Sequence, residues 1–399
     1  MKPWLNIVGI GQDGLSGLSE AVKVLLGKAE VIFGSSRHHQ LTSTLNVSRV
    51  HWPKPFDLIY EQIASYRGKI VVVLVTGDPL WFSAGIQIKD FFLQEEIIFY
   101  PHISAFQSVA ARMIWPMSEI EMLSVHGRPL EKIIPYLQPN QKLIVLTSGS
   151  ETPKEIAELL TDKNFGKSKM TVFSSMGDKN EQVFFQTAEN WKKSVPSFNT
   201  LAIECLSSGF CDILPKTPGL PDNAFKNDGT MTKQEVRAVT LSKLKPTNGA
   251  VLWDIGCGCG SVAIEWMRSA SNAIAIGVDK RADRCELSSI NAINLGVPDF
   301  KVINGQAPEA LCNLDKPDAI FIGGGLSREI FEFSWSQLRT NGRLVVNVVT
   351  LESQALLIEL YSQYGGDISQ LEIKRVEQIG NSTIWKPFTP VTQWSIEKK

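Results

Sequence analysis

Residues 250–260 read Ala-Val-Leu-Trp-Asp-Ile-Gly-Cys-Gly-Cys-Gly: the apolar run Ala250–Trp253 passes through Asp254 into three alternating glycines, Gly256, Gly258 and Gly260. A second apolar run, Ala273–Val278, ends in Asp279. A strand that runs into glycines lets bare backbone approach a ligand, and an acid at the end of the next strand accepts hydrogen bonds from ribose hydroxyls. Together they predict a nucleoside-type cofactor on a parallel α/β sheet. The glycine spacing then selects among such cofactors. A dinucleotide site calls for G-x-G-x-x-G, so that a helix N-terminus can meet a pyrophosphate. Alternating glycines preceded by an acid suit a cofactor with no phosphate and a charged amino-acid tail. A tight turn with no ligand would leave the position of Asp279 unexplained.

This stretch resembles motif I of the S-adenosylmethionine (SAM) methyltransferases. The resemblance makes Gly256, Cys257, Gly258, Cys259, Gly260 and Asp279 candidate cofactor contacts. Downstream, Val302–Ala307 has the form of a strand and loop flanking an adenine, which adds Ala307. Ala319–Gly325 is a further strand running into glycines, and such loops at the C-terminal ends of parallel strands line a ligand crevice. Leu344–Thr350 is another strand, whose mid-strand Asn347 must meet either a ligand or a neighbour. Upstream, Thr232 and Glu235 fit a capping box that opens a helix running to about Lys245, and the cap Thr232 is expected beside the cofactor.

At 399 residues the chain exceeds what one hydrophobic core usually covers, so two domains are expected. The proline- and glycine-rich stretch 214–223 reads as linker chemistry and divides the chain into 1–214, a linker 215–221, and 222–399. Both halves alternate apolar strands with amphipathic helical stretches, which makes both α/β. The formal net charge of −1 argues against a nucleic-acid surface. The apolar run Ile70–Val75 is far short of the ~20 residues a membrane span needs, and the N-terminal Leu5–Ile10 reads as a first strand rather than a signal peptide. The six cysteines form no C-x-x-C pair, so no metal site and no disulfide framework is indicated. A reduced cytoplasmic enzyme fits best.

The first half carries weaker signals that gain weight in combination. Ile7–Gly14 is a strand and glycine-rich turn containing Gly9 and Gly11. Val71–Thr76 is a buried strand stopped by Gly77-Asp78-Pro79. Tyr100–Arg112 includes Ser104 and Ala105, and Ser124–Arg128 reads Ser-Val-His-Gly-Arg. In this order and spacing the four elements resemble the tetrapyrrole (precorrin/corrin) methylases, which hold SAM folded between two α/β lobes. The Ser-Val-His-Gly-Arg element resembles the branch that methylates carbon 5 of the macrocycle. The second half, with Asp-Gly-x-Met-Thr-Lys-x-Glu-Val-Arg-Ala at 228–238 ahead of the glycine loop, resembles the carbon-15 methyltransferase/decarboxylases. Two departures stand out: Gln12 and Asp13 replace a Gly-Pro-Gly ending, and His102 stands where glycine is expected.

The fold expected is therefore a two-lobed tetrapyrrole methylase domain followed by a Rossmann-like class I SAM methyltransferase domain. The resemblance implies one SAM per domain, at Gly9, Gly11, Gly77, Asp78, Ser104 and Ala105 in the first. It implies methyl transfer to carbons 5 and 15 of a cobalamin-pathway macrocycle, with loss of carbon dioxide from the carbon-12 acetate. Positioning and exclusion of water supply most of such a rate, so no acid–base triad is required and no catalytic residue is singled out. A polycarboxylate substrate needs local cations. Candidates are Arg37, His38, His39, Arg112, His126 and Arg128 in the first domain, and Lys233 and Arg237 in the second. Core packing is expected of most of the ten tryptophans. Partners are a tetrapyrrole substrate and further copies of the chain, with no nucleic acid and no membrane. The rival readings are an RNA methyltransferase with an accessory domain, and a SAM-binding regulator without turnover.

Overall fold

A computed structural model describes residues 3–209 and 211–399. The chain divides into two compact units: one runs to Arg128 and resumes over Gln138–Cys211, and the other comprises Pro129–Leu137 and Asp212–Lys399.

The first unit contains two five-stranded sheets. In the first, β1 (Leu5–Ile10), β2 (Val31–Gly34), β3 (Ser48–His51), β4 (Val71–Thr76) and β5 (Ile97–Tyr100) run parallel in the order β3-β2-β4-β1-β5. The central strands β1 and β4 are buried on both faces, which is why they read as continuous apolar runs rather than as alternation. Asn6 interrupts β1 without leaving an unpaired amide, since Nδ2 donates to the carbonyls of Trp4 and Val71. In the second sheet, β6 (Ile120–Ser124), β7 (Lys142–Leu146), β8 (Lys169–Ser174), β9 (Gln182–Thr187) and β10 (Asn199–Glu204) take the order β6-β7-β10-β8-β9. Only β6 and β7 pair in parallel there. The helix Ala105–Met113 buries Phe106, Val109 and Ala110 against Ile120, Ile144 and Ala202 of this sheet.

The second unit is built on one seven-stranded sheet of order β13-β12-β11-β14-β15-β19-β16. Its strands are β11 (Val251–Ile255), β12 (Ile274–Asp279), β13 (Lys301–Asn304), β14 (Ala319–Ile322), β15 (Arg343–Val348), β16 (Asp367–Leu371) and β19 (Val391–Glu397). The five from β11 to β15 are parallel, and β19 and β16 close the edge antiparallel. Strand order reverses at β11, which places the glycine loop that follows it at the topological switch point where open α/β sheets bind ligands. A separate hairpin, β17 (Lys374–Ile379) and β18 (Ser382–Pro387), projects from this unit with exposed apolar side chains.

Several local expectations are corrected. The stretch 215–221 is not a free tether. Leu220 is buried in the second unit's core, Gly219 N and Leu220 N donate to the Glu265 carboxylate at 2.6 and 2.9 Å, and Arg268 and Ser269 hold the carbonyls of Leu214 and Lys216. Thr232 does not cap the following helix. That helix spans Gln234–Leu244 with Lys233 at its N-cap position, because the Thr232 carbonyl accepts from Arg237 Nη1 at 2.6 Å and Glu235 pairs with Arg375. Asn347 meets neighbours rather than a ligand: Nδ2 donates to Thr240 Oγ1 and Oδ1 accepts from Gln393.

Candidate active site

The glycine loop of the second unit is shaped by its neighbours. Gly256, Gly258 and Gly260 all adopt left-handed φ, of 72°, 57° and 78°. A Cβ at Gly256 would lie 3.0 Å from the Gly324 carbonyl oxygen, and one at Gly260 would lie 2.9 Å from the Phe300 ring. At Gly258 the nearest atom to an added Cβ is the Thr230 carbonyl oxygen, 3.9 Å away, so this glycine faces open space. Backbone conformation and packing therefore account for Gly256 and Gly260, and Gly258 leaves room for a ligand.

Two carboxylates frame the loop. Asp279, at the end of β12, accepts Gly258 N on Oδ2 and Arg281 N on Oδ1, both at 3.0 Å, which holds the carboxylate against the loop. Asp254, at the end of β11, is buried; Oδ2 accepts from Ala263 N at 3.1 Å, while Oδ1 has no partner among the described residues. Burial, with the charge of Asp279 adding to it, pushes the Asp254 carboxyl up to about 7. An orphaned carboxylate oxygen beside a bare-backbone cradle is the feature a cationic amino-acid tail would satisfy. SAM carries such a tail, and the residues present fit it. Cys257 and Cys259 are buried fillers whose thiols burial pushes up, and no group of three or more His, Cys, Asp or Glu among the described residues is arranged to hold a metal. Beyond β13 a cavity of about 590 Å³ is lined by Ile303, Asn304, Gly305, Gln306, Glu309 and Ala310. Ala307 itself does not line that cavity and is buried in the apolar core of the unit.

In the first unit, the ends of β1 and β4 come together. A Cβ at Gly9 would lie 2.1 Å from the Gly77 carbonyl oxygen, and one at Gly11 would lie 2.8 Å from His102 Nε2. Gly9 is thus required by the close approach of backbone to backbone, whereas an added Cβ at Gly11 meets only the side-chain tips of Asp13 and His102. Gly77 turns with φ 65° against Ser104, which caps the helix Ala105–Met113 in a reciprocal pair with Gln107. Asp78 Oδ1 accepts from Leu80 N at 2.8 Å in an Asx turn. The two departures from the tetrapyrrole methylase pattern meet each other: His102 Nε2 and Asp13 Oδ1 are 3.7 Å apart.

The candidate cations separate into engaged and free. Arg237 is fully buried, with Nε on Glu265 at 2.6 Å, Nη2 on the Leu220 carbonyl and a longer contact to Asp222, so it is a structural clamp and not a substrate contact. Arg112 is neutralised by a bidentate pair with Glu181 at 2.5 and 2.7 Å. His38 is buried and pushed down to about 3, first by burial and then by the charge of Arg37, so it offers no cation, and burial lowers His39 as well. His126 is exposed, with Nδ1 on the Thr147 carbonyl at 3.2 Å. Arg37 is held by Gln12 Oε1 and Thr76 Oγ1 and lies 4.2 Å over the Phe198 ring, with no carboxylate partner among the described residues. Arg128 and Lys233 likewise have none. Asp228, which its motif alone does not single out, is gripped by Arg281 and Arg284. It stands at the head of the Asp-Gly-x-Met-Thr motif.

Comparison with known proteins places the chain in a family. The pattern of the Tetrapyrrole (Corrin/Porphyrin) Methylases matches residues 5–191, and that of the Precorrin methyltransferase domain matches residues 223–398. A Sinorhizobium protein named precorrin-6Y C(5,15)-methyltransferase [decarboxylating] is 40% identical over 401 residues, covering 100% of this chain and 97% of its own. A Mycobacterium tuberculosis protein of the same name is 34% identical over 400 residues, covering 98% and 99%. The solved C-terminal domain of precorrin-6Y C5,15-methyltransferase from Rhodobacter capsulatus is 40% identical over 46% of this chain and 100% of its own, with a TM-score of 0.45. With a two-lobed α/β unit followed by a seven-stranded methyltransferase sheet, and similarity running from end to end, the chain belongs to the precorrin-6Y C(5,15)-methyltransferase (decarboxylating) family.

Proposed function

We propose that the chain is a SAM-dependent C-methyltransferase of cobalamin biosynthesis. It methylates a precorrin-6 type macrocycle at carbons 5 and 15 and removes the carbon-12 acetate carboxylate as carbon dioxide. The observation that carries this reading is the end-to-end similarity to proteins of that name. The orphaned Asp254 beside a bare-backbone loop supports it, because that arrangement suits an amino-acid tail better than a pyrophosphate. Bound SAM supplies an electrophilic methyl group on a sulfonium. Asp279 holds the ribose, the 256–260 backbone and Asp254 hold the methionine end, and Gly77, Asp78, Ser104 and Ala105 frame a second cofactor in the first unit, giving one per domain. Ring conjugation makes the acceptor carbon nucleophilic, so no base is needed to create the nucleophile; the proton displaced by the methyl group passes to a ring nitrogen or to solvent, and a proton replaces the carbon dioxide lost from the acetate. The chain's task is to orient the macrocycle and exclude water. For decarboxylation the macrocycle is the electron sink, and the pocket desolvates the departing carboxylate.

The exposed Val376, Ile379, Ile384 and Trp385 of the β17–β18 hairpin support a homo-oligomer. All six cysteines are free, in keeping with a reducing cytoplasm. No helix among the described residues is long and apolar enough to cross a membrane. Incubation with a precorrin-6 pool and methyl-labelled SAM, followed by mass spectrometry, tests the assignment. Two added methyl groups and one lost carbon dioxide are expected, and cofactor binding without turnover would point instead to a regulator.

A further inference from the structure

Just past β4 the first unit carries an exposed aromatic turn that its own fold does not explain. Trp81 and Phe82 are 47% and 37% exposed, and Phe82 has φ 50°, a left-handed conformation that a bulky side chain adopts only when its surroundings impose it. Both rings rest on Phe106, which is 1% exposed, with centroid separations of 6.5 and 5.7 Å. Phe106 lies in the first turn of the helix that Ser104 caps, and Ser104 packs against Gly77. The aromatic turn is therefore fixed to the same helix end that frames the candidate cofactor residues. Over its outer side lies Arg128, with Cζ 4.9 Å from the Phe82 centroid. That guanidinium makes no hydrogen bond and no ion pair with any described residue, whereas Arg112 in the same unit is neutralised by Glu181. Gly127 holds φ 66°, and Arg128 N donates to the Val125 carbonyl at 3.2 Å, so the backbone carrying the cation is set by a turn.

Two half-exposed rings, that of Phe82 on a left-handed backbone, beside a cation without a counter-ion complement a ligand that is flat, conjugated and anionic at its edge. We propose that Trp81, Phe82 and Arg128 seat the macrocycle at the first-domain site. The rings take its face, and Arg128 takes a peripheral carboxylate. They are positioning residues that decide which carbon is presented for transfer. This inference rests on the function proposed above and adds the subsite that orients the substrate there.

The test uses the full-length chain with Arg128→Gln, Arg128→Lys and Phe82→Leu, each checked for an unchanged unfolding temperature and, by calorimetry, for unchanged SAM affinity. Loss of one charge-assisted contact predicts a roughly 10- to 100-fold rise in the macrocycle KM for carbon-5 transfer, with kcat recovered at saturation. Arg128→Lys should recover part of the loss, and carbon-15 transfer and carbon dioxide release should be unaffected. In parallel, binding of a polycarboxylate porphyrin is followed by quenching of tryptophan fluorescence. If the wild-type chain methylates the precorrin pool and neither Arg128→Gln nor Phe82→Leu moves KM, the seat is wrong and the functional reading stands. If the wild-type chain transfers no methyl group yet porphyrin binding weakens with Arg128→Gln, the seat stands and the functional reading fails. Equal losses of SAM and macrocycle affinity would overturn the seat by making these residues part of the cofactor site.

Discussion

Asp254 and Asp279 show how two acids that frame one loop acquire different work. Asp279 has a backbone donor on each oxygen and is held as a fixed acceptor, while Asp254 is buried with one oxygen unpaired. The sign of the resulting pH dependence follows from the raised Asp254 carboxyl. Between its ordinary value near 3.8 and its folded value of about 7, the folded chain holds a proton that the unfolded chain has released. The stabilisation is complete below that window and is lost as pH rises through it. Thermal unfolding of the cofactor-free chain should therefore show a component of stability that declines toward neutral pH, and Asp254→Asn should flatten it. A cationic tail bound beside Asp254 favours the ionised carboxyl, so SAM binding near pH 6 should release a proton, seen as a buffer-dependent calorimetric enthalpy that Asp254→Asn abolishes. For Asp279→Ala the expectation is a loss of about 2–4 kcal/mol in SAM binding, the scale of charge-assisted hydrogen bonds to ribose hydroxyls. Unchanged affinity would remove Asp279 from the site.

At the scale of elements, the strands and the glycine loop were legible because their signals are local: apolar runs, glycines and a terminal acid lie within a few residues of one another. The errors came where a partner is distant in sequence. Arg237 looks like a free cation in its motif, but Glu265 lies on another helix, and only the fold brings the two together. The same pair explains the linker. Glu265 draws Gly219 N and Leu220 N onto the second unit while Arg237 takes the Leu220 carbonyl, so a proline-rich stretch that reads as flexible becomes part of the core. Thr232 failed as a cap for the same reason, its carbonyl being drawn to Arg237. The consequence is measurable in fragments. Residues 212–399 should fold with the clamp complete. Residues 222–399 lose the Leu220 side chain and the strand of donors facing Glu265, which costs about 3 kcal/mol or more from apolar burial and an underpaired buried ion pair. Chemical unfolding of the two fragments compares them directly, and equal stabilities would mean that the clamp contributes nothing.

Across the whole molecule, two unlike α/β units each carry a candidate cofactor site on one chain, and the question is how the chemistry divides between them. The physical motive for placing decarboxylation in the second unit is proximity: carbons 12 and 15 belong to neighbouring parts of the macrocycle, so one dry pocket can serve both. Carbon 5 lies on the far side of the ring and calls for a different presentation, for which the first unit offers its own aromatic turn and unpaired Arg128. Glycine substitutions can block the sites one at a time. Gly258 faces open space, so the side chain of Gly258→Arg enters the cofactor cradle without striking the core, at the cost of a left-handed φ. Gly77→Arg crowds Ser104 at the corresponding turn of the first unit. With precorrin-6 and labelled SAM, Gly258→Arg should abolish carbon dioxide release and carbon-15 methylation. Gly77→Arg should leave a product carrying one new methyl group and lacking the carbon-12 acetate carboxylate. Mass spectrometry separates the two products. Release of carbon dioxide that instead followed Gly77→Arg would place the decarboxylation in the first unit and reverse the division, because a blocked cofactor cradle silences only the chemistry that depends on it.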